Sequence, residues 1–407
     1  MLTESKSTRR INSAVISWIV FLFSISIVLI SFVSVIFPAL ISTSNTITIP
    51  GIKSVIPDPL ELGVWSGGII ISNGIIFGLL LLHHKKKIRS ISTIFEKIFL
   101  FEISKKIAFV VMVVLLIIYV SVTVGELTTQ ENLEDYVGVT KRLDTWSIDT
   151  ISSFEPHVRY FMLSSSMILF GSYKIMPFLA SIALLIMTYI ITNTITQKRF
   201  AGIVAVIILL QSSVFLTYDT TVSYTNFWIL FYLTSLYMAY RFWPLSPISY
   251  LLSILSKALT IAFLPMSIYF ILRSQISKKR KITVSGITIG IILAGGIASI
   301  GGFSVTQDTE ERFSAKEFQM GIASFAYQLR FDGLVMLFMI PLIVGLFIVS
   351  KNGVNHGESI MVLISGILLI APILTGFTNQ TNQPYRFVPL IVFFSIGVGV
   401  LLSKRHG

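Results

Sequence analysis

The chain has no cysteine among its 407 residues. Disulfides are excluded, and so is any metal site built on thiolates. Charge is scarce as well: Asp, Glu, Lys and Arg together make up 12% of the sequence, against 54% hydrophobic residues and a mean hydropathy of +0.84. So little charge cannot cover a water-soluble globule of this size. There is no phosphate-cradling Gly-rich loop followed by lysine, no histidine pair at helical spacing and no Gly-x-Ser-x-Gly turn. The usual signatures of nucleotide hydrolysis, zinc-dependent proteolysis and serine hydrolysis are thereby missing.

What the chain has instead is a series of long apolar runs, many near the roughly 20 residues that carry a helix across a bilayer. The runs do not alternate in hydropathy, which argues for helices over a β-barrel. The expected fold is an all-α polytopic membrane protein with about ten full spans, near 14–42, 64–83, 107–126, 175–195, 202–217, 222–240, 284–302, 334–350, 360–377 and 387–402. The first run is too long for a signal-peptide core and has no marked small-residue cleavage site, so it reads as a retained span.

Basic residues fall on one side of this threading. They cluster at Lys6, Arg9 and Arg10, at Lys85 to Arg89, at Lys198 and Arg199, at Arg241, at Arg273 to Lys281, at Lys351, and at Lys404 and Arg405. Because basic loops stay cytoplasmic, this places both termini of a cytoplasmic-membrane protein inside the cell. The net charge of +12 then reads as an orientation signal. It calls for no nucleic-acid partner, and inner-leaflet anionic headgroups among the membrane lipids are the expected contacts.

One stretch breaks the alternation. Residues 247–272 are long enough to cross, yet Arg241 precedes them and Arg273 follows. Two shorter helices meeting near Ser256 and Lys257 satisfy the charge rule, and broken helices at membrane depth are tolerated where they line a cavity. A single tilted span with a buried lysine is the other reading of this stretch.

The most informative stretch is a polar island, Gly125 to Arg159, which holds seven of the 19 acidic residues. Carboxylates at a bilayer mouth are costly unless they meet water, metal or a charged substrate. Three longer segments, 43–63, 126–174 and 303–333, fall on the expected outer face. Within the second, residues 159–171 (RYFMLSSSMILFG) are too short to span and read as a helix lying along the interface. His157 is the one histidine expected on that face.

The order of these features resembles the family C glycosyltransferases, integral-membrane enzymes that take a sugar from a polyprenyl-phosphate carrier and include protein O-mannosyltransferases and aminoarabinose transferases. The resemblance runs from about residue 107 to 403. Glu134-Asp135-Tyr136 looks like the family's acidic pair with a nearby tyrosine, and Glu155-Pro156-His157 followed by Leu169-Phe170-Gly171 looks like its proline-bearing segment and horizontal helix. Tyr218-Asp219 stands where the family has an aspartate at the outer end of a helix hairpin. Leu255-Ser256-Lys257 resembles its Leu-Thr-Lys element, and Pro384-Tyr385-Arg386-Phe387-Val388-Pro389 its closing arginine with aromatic and proline neighbours. The acidic pair here is Glu then Asp where many relatives have Asp then Glu, and one proline replaces the usual two.

The resemblance implies inverting sugar transfer from a polyprenyl-phosphate donor to a protein, lipid or glycan acceptor on the extracytoplasmic face. Such chemistry needs a base for the acceptor hydroxyl and cations for the leaving phosphate. Asp135 is the first choice for the base and Glu134 the second. Lys257 and Arg386 lead as phosphate ligands, with Arg159 and Arg330 behind them. Tyr136, Trp146, Glu155, His157 and Asp219 are the expected substrate-side residues, Trp146 as a sugar-stacking platform. A divalent cation is an option in the family's manner, held by Asp219, Asp144 and Asp149. The chain then divides into an N-terminal transmembrane hairpin with a basic cytoplasmic segment, 1–106, and a transferase-like core, 107–407. Two other classes stay open: a transporter or flippase for a lipid-linked or anionic substrate using the Lys257 break, and a non-catalytic membrane subunit.

Overall fold

The computed structural model of the chain describes residues 2–41, 58–84, 89–133, 135–146, 156–300, 313–329, 332–378 and 384–403. All regular structure among them is helical. The first helices are α1 (Leu2–Ile36), α2 (Pro38–Ile41), α3 (Ser66–His84), α4 (Arg89–Leu100), α5 (Lys105–Thr123), α6 (Asp135–Thr145) and α7 (His157–Phe170). Then come α8 (Ile175–Thr196), α9 (Arg199–Leu210), α10 (Ser213–Thr217), α11 (Phe227–Arg241), α12 (Leu245–Ser256), α13 (Leu264–Arg273) and α14 (Lys278–Ile300). The last are α15 (Ala315–Leu329), α16 (Gly333–Lys351), α17 (His356–Thr378) and α18 (Val388–Leu401).

Among the described residues five segments are long and apolar enough to cross a membrane: Val15–Ile36, Lys105–Thr128, Ile175–Thr196, Gly333–Lys351 and His356–Phe377. The chain is thus an all-helical membrane protein, with shorter apolar helices beside these five. Two expected spans end differently. The run at 202–217 is broken after Leu210, because the Ser212 hydroxyl accepts from the Phe215 amide and starts the short α10 as a new helix. The run at 222–240 becomes helical only at Phe227, since the residues before it are held in a non-helical polar segment.

The helices form two compact units. One comprises residues 1–100 and 310–397. In it α1 packs against α15, α16 and α17. Ser17 donates to the Glu358 carboxylate, and Ser24 and Ser365 hydrogen-bond at 3.2 Å. Both pairs share the same sequence offset, so α1 and α17 run parallel in register. Phe21 stacks on Phe347 with ring centres 4.3 Å apart, and Ser72 and Asn73 of α3 donate to the Leu337 carbonyl of α16. Small hydroxyl residues let helices approach and bond where apolar burial alone cannot choose a partner.

The other unit comprises residues 101–309 and 398–407. Here α8 packs on α9 and α11, α11 on α12, α5 on α9, and α7 on α8 and α12. The two ends of α5 differ in character. At its start, the Arg199 amide donates to Glu102 at 3.1 Å and the Arg199 guanidinium approaches the same carboxylate at 3.9 Å. At its far end, Thr123 meets the buried Asp219.

The stretch expected to be broken at Ser256 and Lys257 is broken there. Helix α12 ends at Ser256, Lys257 is extended, and a 3-10 helix, Ala258–Phe263, leads into α13. Pro265 lies in the first turn of α13, where its missing N–H needs no intrahelical acceptor. An α-helix running through from α12 would lose a hydrogen bond at that point.

Candidate functional site

A buried polar segment, residues 218–226 (YDTTVSYTN), organises one end of the second unit. Tyr218 to Ser223 are all buried, as are Thr225 and Asn226, and none of them is helical. Buried backbone outside a helix must find partners for its amides and carbonyls. Two charged side chains supply them. The Glu131 carboxylate accepts from the Val222 amide at 2.7 Å and the Ser223 amide at 3.1 Å. An Arg159 terminal nitrogen donates to the carbonyls of the same two residues, at 3.0 and 2.5 Å.

The remaining contacts converge on this segment. The Ser181 hydroxyl of α8 donates to the Asp219 carbonyl at 2.7 Å, and Asn226 donates to Ser181 at 3.1 Å. Thr220 donates to the Glu126 carboxylate at 3.1 Å, and Lys174 to the Glu126 carbonyl at 2.8 Å. Next along the chain, the Tyr224 hydroxyl donates to Asp135 Oδ2. Asp135 is exposed and opens α6, a position at which the helix dipole favours a carboxylate.

Asp219 is fully buried. Thr123 donates to its Oδ2 at 3.2 Å, while its Oδ1 and the nearby Tyr119 hydroxyl have no hydrogen-bond partner among the described residues. Burial pushes the Asp219 carboxyl up to about 7, and the neighbouring charge of Glu126 adds to it.

Lys257 is brought to the same end. Its ammonium lies 5.0 Å from the ring centre of Trp228, the second residue of α11, and that helix starts where the polar segment stops. Trp228 is itself fixed by the Ser253 hydroxyl of α12, which donates to its carbonyl at 2.6 Å. The helix break is therefore tied to the first turn of α11 by a cation–π contact and a side-chain-to-backbone hydrogen bond.

Trp146 and His157 meet as well, the indole N–H donating to His157 Nδ1 at 3.3 Å. Trp146 and Tyr136 pack on a cluster formed by Val139, Leu143, Tyr160 and Leu163, which joins α6 to α7. Helix α7 ends at Gly171, whose φ of 69° is left-handed and suits a residue without a Cβ.

The structure thus gathers Asp135, Tyr136, Trp146, His157, Arg159, Asp219 and Lys257 in one unit. Glu134, Glu155, Asp149 and Arg330 lie outside the described residues. Arg386 belongs to the other unit, on a 3-10 turn, Pro384–Phe387, that opens α18. Glu131, Tyr224, Glu126 and Thr123 also belong to this end, and no motif in the sequence marks them. The available signal was the run of hydroxyl residues from Thr220 to Thr225, whose polarity in an apolar neighbourhood demands buried partners. Among the described residues no group of three or more His, Asp or Glu side chains gathers as a metal site. No family model, curated protein or solved structure matches this chain.

Proposed function

We propose that this protein transfers a sugar from a polyprenyl-phosphate donor to an acceptor hydroxyl on the extracytoplasmic face of the cytoplasmic membrane, with about ten spans and both termini cytoplasmic. The observation that carries the reading is the gathering of an exposed carboxylate, Asp135, with Arg159 and a buried second carboxylate, Asp219, around one polar segment, with Lys257 against the first turn of the helix that follows it. A transporter calls for such groups halfway along its helices, whereas a transferase calls for them at one membrane face.

In this reading the exposed Asp135 Oδ1 takes the proton of the acceptor hydroxyl. The acceptor oxygen forms a bond to the anomeric carbon from the face opposite the departing phosphate. The carbon–oxygen bond to the lipid phosphate breaks with its electron pair, so the sugar inverts. Lys257 holds the leaving phosphate as a point charge. Lys105 and Lys106 open α5, whereas Glu126 and Asp219 lie at its far end, a charge difference that fits the assignment of faces. The break at Lys257 favours the second reading, a transporter for the same lipid phosphates.

The test is sugar transfer or donor hydrolysis by the purified protein with a mixed set of polyprenyl-phosphate sugars. Asp135→Asn is expected to lower turnover by roughly 10²- to 10⁴-fold with donor binding intact, and Lys257→Met to weaken donor binding. Full turnover in Asp135→Asn would remove this aspartate as the base. Donor binding with no turnover in the unaltered chain would favour the transporter.

A further inference from the structure

A carboxylate that is to take a proton from one substrate hydroxyl must be held in place. Asp135 is exposed, and an exposed carboxylate samples several rotamers, most of them useless to a reaction that needs its oxygen near one substrate hydroxyl. The contact that restrains it comes from the Tyr224 hydroxyl, which donates to Oδ2 and leaves Oδ1 as the oxygen open to an acceptor.

Tyr224 is in turn well placed to restrain. It follows directly on Val222 and Ser223, the two residues whose amides Glu131 accepts and whose carbonyls Arg159 engages. Its ring meets the Tyr218 ring edge-on, with centres 5.8 Å apart. Thr221 donates to both the Tyr218 and the Tyr224 carbonyls at 3.2 Å, closing the segment on itself. Tyr224 is the next residue after the buried clamp, and one hydrogen bond joins it to the exposed carboxylate.

We propose that Tyr224 is a positioning residue for the Asp135 base, and that Glu131 and Arg159 serve the reaction by clamping the Val222–Ser223 backbone that presents the Tyr224 hydroxyl. The inference rests on the sugar-transfer reading and deepens it, because it names the residues that orient the reacting carboxylate. Tyr224 touches no reacting atom; it acts through Asp135 and selects which of its oxygens accepts the proton.

The experiment compares Tyr224→Phe, Asp135→Asn and the unaltered protein, all in lipid nanodiscs. It uses steady-state turnover of polyprenyl-phosphate sugars together with amide hydrogen exchange over residues 135–145. Tyr224→Phe removes one oxygen and leaves the ring packing in place. It is expected to lower kcat by roughly 10- to 100-fold with the KM for donor changed less than about twofold, and to speed exchange in the first turn of α6. Wild-type kcat and wild-type exchange in Tyr224→Phe, with Asp135→Asn inactive, would overturn the positioning role and leave the base standing. Full activity in Asp135→Asn would overturn the transfer reading itself. A rise in KM with unchanged kcat would also overturn the proposal, since it would make Tyr224 a donor-binding residue.

Discussion

Glu131 and Arg159 grip the same two residues: the carboxylate takes the amides of Val222 and Ser223, and the guanidinium takes their carbonyls. Two opposite charges are thereby joined through a peptide backbone, whose amides and carbonyls find their partners in them. Removing either side leaves two buried polar groups without their partners, and each such loss costs about 1–3 kcal/mol. Glu131→Ala and Arg159→Ala are each expected to lower the thermal midpoint by several degrees. The double variant should lose clearly less than the sum, because the second removal acts on a segment already released. Additive losses in a thermal-shift double-mutant cycle would show that the two side chains support the segment independently.

Asp219 gives a pH dependence whose sign can be worked out. Its carboxyl is raised to about 7 in the folded protein, above the ordinary aspartate value of about 3.9. Between these values the folded state binds the proton and the unfolded state does not, so folding stability falls as pH rises through that window. The whole effect is on the order of a few kcal/mol. Unfolding midpoints of the unaltered protein in nanodiscs should fall between pH 5 and pH 8, and Asp219→Asn should flatten the profile. A midpoint that rises over the same range would contradict the buried, near-neutral carboxyl.

Gly321 and Gly290 form a matched test of helix packing. A Cβ on Gly321 would lie 2.6 Å from Pro372 Cα and 3.0 Å from Thr375 Cβ, so α15 and α17 touch through that glycine. A Cβ on Gly290 of α14 meets nothing within 4 Å. Gly321→Ala should destabilise by about 1–3 kcal/mol as overpacking forces the backbones apart. Gly290→Ala should be neutral or slightly stabilising, since alanine favours helix. Equal thermal midpoints for the two variants would refute the close α15–α17 approach.

Much of the helical layout can be read along the chain because hydropathy acts locally. Long apolar runs such as Val15–Ile36 and Ile175–Thr196 must satisfy their backbone internally, and a helix does that with no help from neighbours. The break at Lys257 was legible too, from the basic residues at both ends and the proline at 265. The segment 218–226 was not. Its sequence reads as the ends of two spans, and only Glu131, 91 positions before Val222, and Arg159, 63 positions before it, give its backbone the partners that keep it out of a helix.

The same contrast holds for the candidate site. By itself the sequence determined the class of protein and that acidic residues concentrate between 125 and 159, because composition and charge need no folding to be counted. Which carboxylate is exposed and which is sealed, whether an arginine faces a ligand or a carbonyl, and which tyrosine reaches Asp135 were decided by tertiary structure alone. Glu131 and Asp135 are four residues apart in similar sequence surroundings. One became a buried clamp and the other a solvent-facing acid because a distant nine-residue segment folded against the first and presented a hydroxyl to the second.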